Sequence, residues 1–154
     1  MRKILKWIAI VLVIIFVGLQ FIRPAKTNPP IDQAQTIEAH TQMTPQVTAI
    51  LDRSCNDCHS NKSKWPWYSN VAPASWLVIG HVNDARKAMN LSEWGKRDPD
   101  RQSKKLQQIC DEVTDGGMPL STYTPLHPGS KLSAADVKTL CDWANSERQR
   151  MAAK

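Results

Sequence analysis

The first 22 residues and the rest of the chain follow different hydrophobic patterns. Residues 8–19 (IAIVLVIIFVGL) are apolar without a break and carry no charge. Trp7 in front and Gln20, Phe21 and Ile22 behind extend the stretch to 16 residues, and reaching back across Lys6 to Ile4 makes it 19. A bilayer core takes ~20 apolar helical residues, so this pattern predicts a membrane-spanning helix with Lys6 snorkelling. The same length also suits the apolar region of a cleaved signal peptide. The continuation, Gln20-Phe21-Ile22-Arg23-Pro24, offers no small-x-small cleavage site, and the first cysteine, Cys55, lies too far on for a lipoprotein. Residues 1–23 are therefore expected to be an uncleaved membrane anchor, with a signal sequence as the alternative.

Residues 24–43 are polar, contain Pro24, Pro29 and Pro30, and show no helical stripe. They read as an extended stalk. From Thr44 the apolar positions recur with helical spacing. Thr44 followed by Pro45 is a helix start, and Val47, Ile50 and Leu51 form the stripe that leads into Cys55. A second helix is expected near Pro73, with Val78, Val82, Ala85 and Met89 on one side. Asp98 and Pro99 repeat the start signal, ahead of Leu106, Ile109, Cys110 and Val113. Gly116 and Gly117 end that helix, and residues 116–131 form a loop. Ser133 caps a last helix, with Asp136 completing a variant capping box and Val137, Leu140, Cys141 and Ala144 forming its stripe. No strand-like alternation of useful length and no internal repeat is present. The pattern predicts an all-α domain over residues 44–149, about 105 residues, enough for one modest core.

Charge sharpens this division. The chain has 20 Lys and Arg against 14 Asp and Glu, a net charge of +6. Arg2, Lys3, Lys6, Arg23 and Lys26 lie in residues 1–26, which hold no acid, leaving 15 bases against 14 acids in the remainder. The basic excess belongs to the N-terminus, so no nucleic-acid partner is expected for the folded part. The bias favours a cytoplasmic N-terminus, a single pass through the inner membrane, and a C-terminal domain on the periplasmic side. Ten Pro, six Gly and 42% hydrophobic residues exclude collagen, a coiled coil and a wholly disordered chain. Four cysteines are too few for a disulfide scaffold, and their positions carry the information instead.

Cys55-Asn56-Asp57-Cys58-His59 is a C-x-x-C-H sequence, the attachment signature of c-type haem. Two thiols one turn apart suit addition to the two porphyrin vinyl groups, and the adjacent His59 suits the proximal position on iron. Covalent attachment fits a small domain that buries little around a large cofactor. Three other readings compete. A thioredoxin-like pair would follow a strand in a βαβ unit, whereas here an amphipathic helix precedes it. A zinc site would draw on Cys55, Cys58 and two more ligands, yet Cys110 and Cys141 are 31 residues apart on separate helix stripes. A Cys55–Cys58 disulfide is disfavoured by the two-residue gap. For the second axial position, Met118 stands in Gly116-Gly117-Met118-Pro119-Leu120, a rigid turn able to aim a thioether. A His/Met pair raises the reduction potential and suits electron transfer. Met89, His81 and His127 are the competing ligands, and an open site is the remaining option.

These residues, with Cys58-His59-Ser60-Asn61, Trp65-Pro66-Trp67-Tyr68, Val71-Ala72-Pro73-Ala74-Ser75-Trp76, Ser92-Glu93-Trp94-Gly95, Gly117-Met118-Pro119-Leu120, Leu126-His127-Pro128 and Cys141-Asp142-Trp143-Ala144, resemble the bacterial single-haem "haem-binding domain" family across about residues 44–146. The resemblance implies a class I cytochrome-c-like helical fold around one covalent haem c, behind an N-terminal membrane segment. It also implies that the first and last helices of the domain pack together. In such folds a backbone carbonyl near a proline supports the proximal histidine, and Pro73 fits that place. The aromatic run after the haem motif departs from the cytochrome pattern. The resemblance implies no particular reaction.

Trp65, Trp67, Tyr68 and Trp76 could wall a haem and offer donors to its propionates, or simply fill the core. Cys110 and Cys141 lie on inner stripes of two helices. In an exported protein a disulfide between them is expected, with two buried free thiols as the alternative. The functional expectation is a membrane-tethered electron carrier with His59/Met118 ligation and a redox-protein partner. The alternative is a haem sensor or peroxidase-like enzyme with an open distal site served by His127 or His81. No dedicated acid–base residue is identifiable, which favours the carrier.

Overall fold

Short-range caps set the starts of three of the helices that carry the domain. A computed structural model describes residues 1–153; among them are seven α-helices, short 3-10 turns and no strand. The helices are α1 (Arg2–Leu19), α2 (Ile37–His40), α3 (Pro45–Ser54), α4 (Asn56–His59), α5 (Ala74–Ala88), α6 (Pro99–Thr114) and α7 (Ala134–Ala152). Thr44 accepts from the Val47 amide at the start of α3, and Asp98 accepts from the Arg101 amide at the start of α6. Each has Pro in the first turn, where no amide is needed. Ser133 and Asp136 form a reciprocal capping box on α7. The all-α expectation holds.

The core lies between α3, α6 and α7. Val47, Ile50 and Leu51 from α3 meet Leu106, Ile109 and Val113 from α6 and Leu140, Trp143 and Ala144 from α7. Trp94, from the 3-10 turn Leu91–Lys96, is fully buried among them. The stripe of α5 is rotated by one position from the expected one: Ser75, Ile79 and Val82 are buried, and Val78 is not. Cys110 and Cys141 are joined by a disulfide with their Cα atoms 4.7 Å apart, tying α6 to α7.

Two expectations for the N-terminal part need correction. The first is the membrane span. Arg2, Lys3 and Lys6 fall in the opening turns of α1, so its charge-free portion runs only over residues 7–19. That is ~20 Å of helix against a ~30 Å hydrocarbon core. No helix among the described residues is long and apolar enough to cross a membrane. The regular helix ends at Leu19, and the next side chain reaches the domain: the Gln20 amide donates to the Ala72 carbonyl at 3.2 Å and accepts from the Ala72 amide at 2.9 Å.

The second is the stalk. Residues 24–43 do not stand free of the domain. Arg86 on α5 donates to the Thr27 carbonyl, to Asn28 Oδ1, to the Ser60 carbonyl and to Ser63 Oγ, all at 2.7–2.9 Å. Thr36 and Ile37 are buried, and Ile37 belongs to the core cluster. The segment rests on the turn that carries Trp94, where a Cβ on Gly95 would run into the His40 ring and the Gln35 amide. Glycine at 95 therefore permits this close approach. Arg150 near the end of α7 donates to the His40 carbonyl at 2.8 Å while paired with buried Glu147.

Candidate functional site

Cys55 closes α3 as its C-cap, donating its amide to the Leu51 carbonyl, and in turn precedes α4. The C-x-x-C-H sequence thus occupies one turn hung from a core helix. Asn56 within that turn and Ser60 just after it are buried, and Ser60 Oγ donates to the Asn56 carbonyl at 2.6 Å. Both Cys55 and Cys58 are free thiols. Burial, then repulsion from Cys58, pushes the Cys55 thiol up to about 12, and burial followed by Asp57 raises that of Cys58. Both are protonated at neutral pH. A dithiol redox pair has the opposite character, with at least one lowered thiol.

His59 Nδ1–H donates to the Met89 carbonyl at 3.0 Å. This leaves Nε2 as the nitrogen with a free lone pair. Burial shifts the imidazole downward, which keeps it neutral. The supporting carbonyl is therefore that of Met89 and not one near Pro73. The Pro73 carbonyl accepts from the Trp76 and Leu77 amides in the first turn of α5 and has no role at His59. The Met89 carbonyl is positioned by a polar knit that sequence reasoning missed. Asn90 Nδ2 donates to Asn61 Oδ1 at 2.9 Å, the Asn61 amide donates to Ser92 Oγ at 3.0 Å, and the Ser92 amide donates to Asn90 Oδ1 at 3.0 Å. Asn61 and Ser92 were visible only as letters of the family-like motifs.

Two largely apolar cavities meet at His59. One, about 200 Å³, is lined by Leu51, Cys55, His59, Ile109, Val113 and Met118 among others. The other, about 290 Å³, includes Cys58, His59, Ala85, Met118, Leu120 and Tyr123. Ser54, His59, Ala88 and Met118 border both. Each alone falls below the ~300–1,000 Å³ of ordinary ligand pockets, so a large planar cofactor would have to extend through both. The donors along this cleft are the neutral imidazole of His59, the Met118 thioether shared by both arms, a thiol in each arm, and Met89 and His81 at its borders. That set fits a covalently held haem. It does not fit zinc, because the Cys110–Cys141 disulfide removes two of the sulfurs such a site would draw on. No group of three or more His, Cys, Asp or Glu able to hold a metal ion occurs among the described residues.

The other sequence candidates divide. Trp65 and Tyr68 line a third cavity, beside Cys58, together with His81, Tyr123 and His127. Trp67 points to solvent, 77% exposed, and Trp76 donates its indole N–H to the Ile22 carbonyl at 2.7 Å. Neither lines the cleft, so both leave the expected pocket set. His127 stacks on Tyr123 at 3.7 Å, donates from Nδ1 to the Tyr123 carbonyl, and accepts from the Tyr68 hydroxyl at Nε2. Both of its nitrogens are engaged. Tyr123 in turn donates to Asp57 Oδ2 at 2.8 Å; burial, then that bond to Asp57, raises its own ionisation. His81 borders both the second and third cavities. Met89 contributes its carbonyl to His59 while its side chain packs on the core.

A family model described as a haem-binding domain matches residues 14–146. No curated protein and no solved structure matches the chain.

Proposed function

The chain belongs to the haem-binding domain family, and from that premise we propose that it carries one covalent haem c and works as a membrane-tethered electron carrier. Cys55 and Cys58 hold the porphyrin through thioethers, His59 is the proximal ligand and Met118 the distal one. The observation that carries this reading is the cleft itself. His59 and Met118 border both of its arms, and each arm contains one of the two thiols.

When bound, the haem supplies a one-electron iron couple, and a His/Met pair places it at the high-potential end suited to electron transfer. The chain does the rest. The Met89 carbonyl fixes the tautomer and the plane of His59. Leu51, Ile109 and Val113 keep water from one arm of the cleft. The raised, buried thiols argue against dithiol redox chemistry. The sensor or peroxidase alternative loses His127, which has both nitrogens engaged, and would rest on His81 at the border of the second cavity.

The tether is α1. It has no buried residue, and Ile8 through Val17 leave a broad apolar surface exposed. Lipid is the natural cover for it, with α1 lying along the interface of the inner membrane on the periplasmic side and its cationic first turns among the headgroups. The partner is a redox protein on that side. Haem staining of the chain exported with its maturation apparatus tests the cofactor. A protein that retains stain after denaturing electrophoresis supports covalent haem, and a colourless one with two titratable thiols rejects it.

A further inference from the structure

We propose that the surface formed by the Trp67 turn and the start of α5 docks on an anionic lipid bilayer, so that the domain lies against the membrane beside α1. This rests on α1 being the tether. Outside residues 1–22, the large apolar side chains left exposed among the described residues are Trp67 (77%), Leu77 (57%) and Leu126 (61%). Single exposed apolar residues need no explanation, but these gather in one place. Leu77 and Leu126 rim the cavity beside Cys58. Trp67 packs edge-on to Tyr68, 5.8 Å between centroids, and Tyr68 lines the same cavity.

The patch is continuous with the tether. Gln20, at the end of α1, is paired with the Ala72 backbone, and Trp76, next to Leu77, holds the Ile22 carbonyl. Lys26 is hydrogen-bonded to Asn70 in the Trp67 turn. These bonds tie the end of α1 and the residues after it to the segment from Asn70 to Trp76, in place of a free linker. A surface clamped to a segment lodged in lipid meets lipid before it meets a soluble partner.

Charge agrees. Residues 1–31 and 58–83, which include α1, the Trp67 turn and the start of α5, contain no Asp or Glu. Arg23, Lys26 and Lys64 supply cations there, and Lys62 is occupied by Glu38. The carboxylate that borders the cavity, Asp57, is held by the Tyr123 hydroxyl. Tryptophan and basic residues at the level of the headgroups are what an anionic interface selects.

The test uses the haem-loaded full chain with a benzophenone amino acid replacing Trp7, Trp67, Leu77 or Gln149 in turn. Position 149 is exposed on α7 and serves as the reference. Each protein is mixed with phosphatidylglycerol–phosphatidylcholine vesicles, floated and irradiated. Lipid adducts are expected at position 7, and at 67 and 77 about tenfold above position 149, with the latter two falling in phosphatidylcholine alone. Adducts at 7 with only the reference level at 67 and 77 would leave the tether standing and overturn the docked face. Failure to float, with no adduct at 7, would remove the tether and the docked face together.

Discussion

The two residues proposed to ligate iron are held in different ways. His59 sits in a one-turn helix between buried Asn56 and Ser60, and its ring is fixed by a backbone carbonyl that Asn61, Asn90 and Ser92 keep in place. Met118 comes from a loop in which none of residues 115–120 is buried. Its amide donates to the Glu112 carbonyl at 3.1 Å, and Gly116, at φ 72°, turns the chain after α6. What steadies that loop is indirect: the Cys110–Cys141 disulfide ties α6 to α7 eight residues upstream. The core thus secures the proximal side, and a braced helix secures the distal side. On the proposed ligation, a change at Met118 should therefore leave attachment at Cys55, Cys58 and His59 intact.

The largest effect that would break this comparison is on the attachment side. Replacing both Cys55 and Cys58 with Ala should abolish haem staining after denaturing electrophoresis, and either single change should leave at most one thioether by mass spectrometry. Next is Met118→Ala. The haem should remain attached, while the potential falls and the reduced protein gains carbon monoxide binding, read by redox titration and absorption. If the distal change instead cost the haem, the two sides would not be separable.

A smaller effect is expected from Cys110→Ser with Cys141→Ser. Loss of the bridge should cost ~2–4 kcal/mol in denaturant unfolding. On warming, the sulfur-to-iron band should fade before the haem signal of the proximal side changes. The smallest is at the α7 cap, where Ser133→Ala should cost ~1 kcal/mol. Hydrogen bonds from the Ser133 backbone and hydroxyl, with Arg53 adding to them, hold the Asp136 carboxyl down to about 2. Its contribution is therefore fully present above the ordinary carboxylate range and is lost as pH falls through about 2. Asp136→Asn should flatten that part of an acid-unfolding curve.

What the sequence made legible was local. Thr44-Pro45, Asp98-Pro99 and Ser133 with Asp136 act within one turn, so their helices begin where the letters say. The C-x-x-C-H turn is equally local. What escaped depends on contacts between distant segments. A four-residue helix holding Ile37 shows no periodicity, and its burial follows from docking on the Trp94 turn. Nothing near Pro73 signals that the carbonyl reaching His59 belongs to Met89, 30 residues along. Trp65 and Trp67 look alike in sequence, yet one lines a cavity and the other faces out. The apolar run at the N-terminus read as long enough to span, but Arg2, Lys3 and Lys6 fall within its helix and Gln20 at its end is tied to Ala72.

The most direct test is an absorption spectrum of the haem-loaded chain, oxidised, reduced, and reduced under carbon monoxide. His59/Met118 ligation predicts a far-red sulfur-to-iron band in the oxidised form and no change when carbon monoxide is added to the reduced form. A high-spin oxidised spectrum whose reduced form binds carbon monoxide would contradict it and place the molecule among haem sensors or peroxidases.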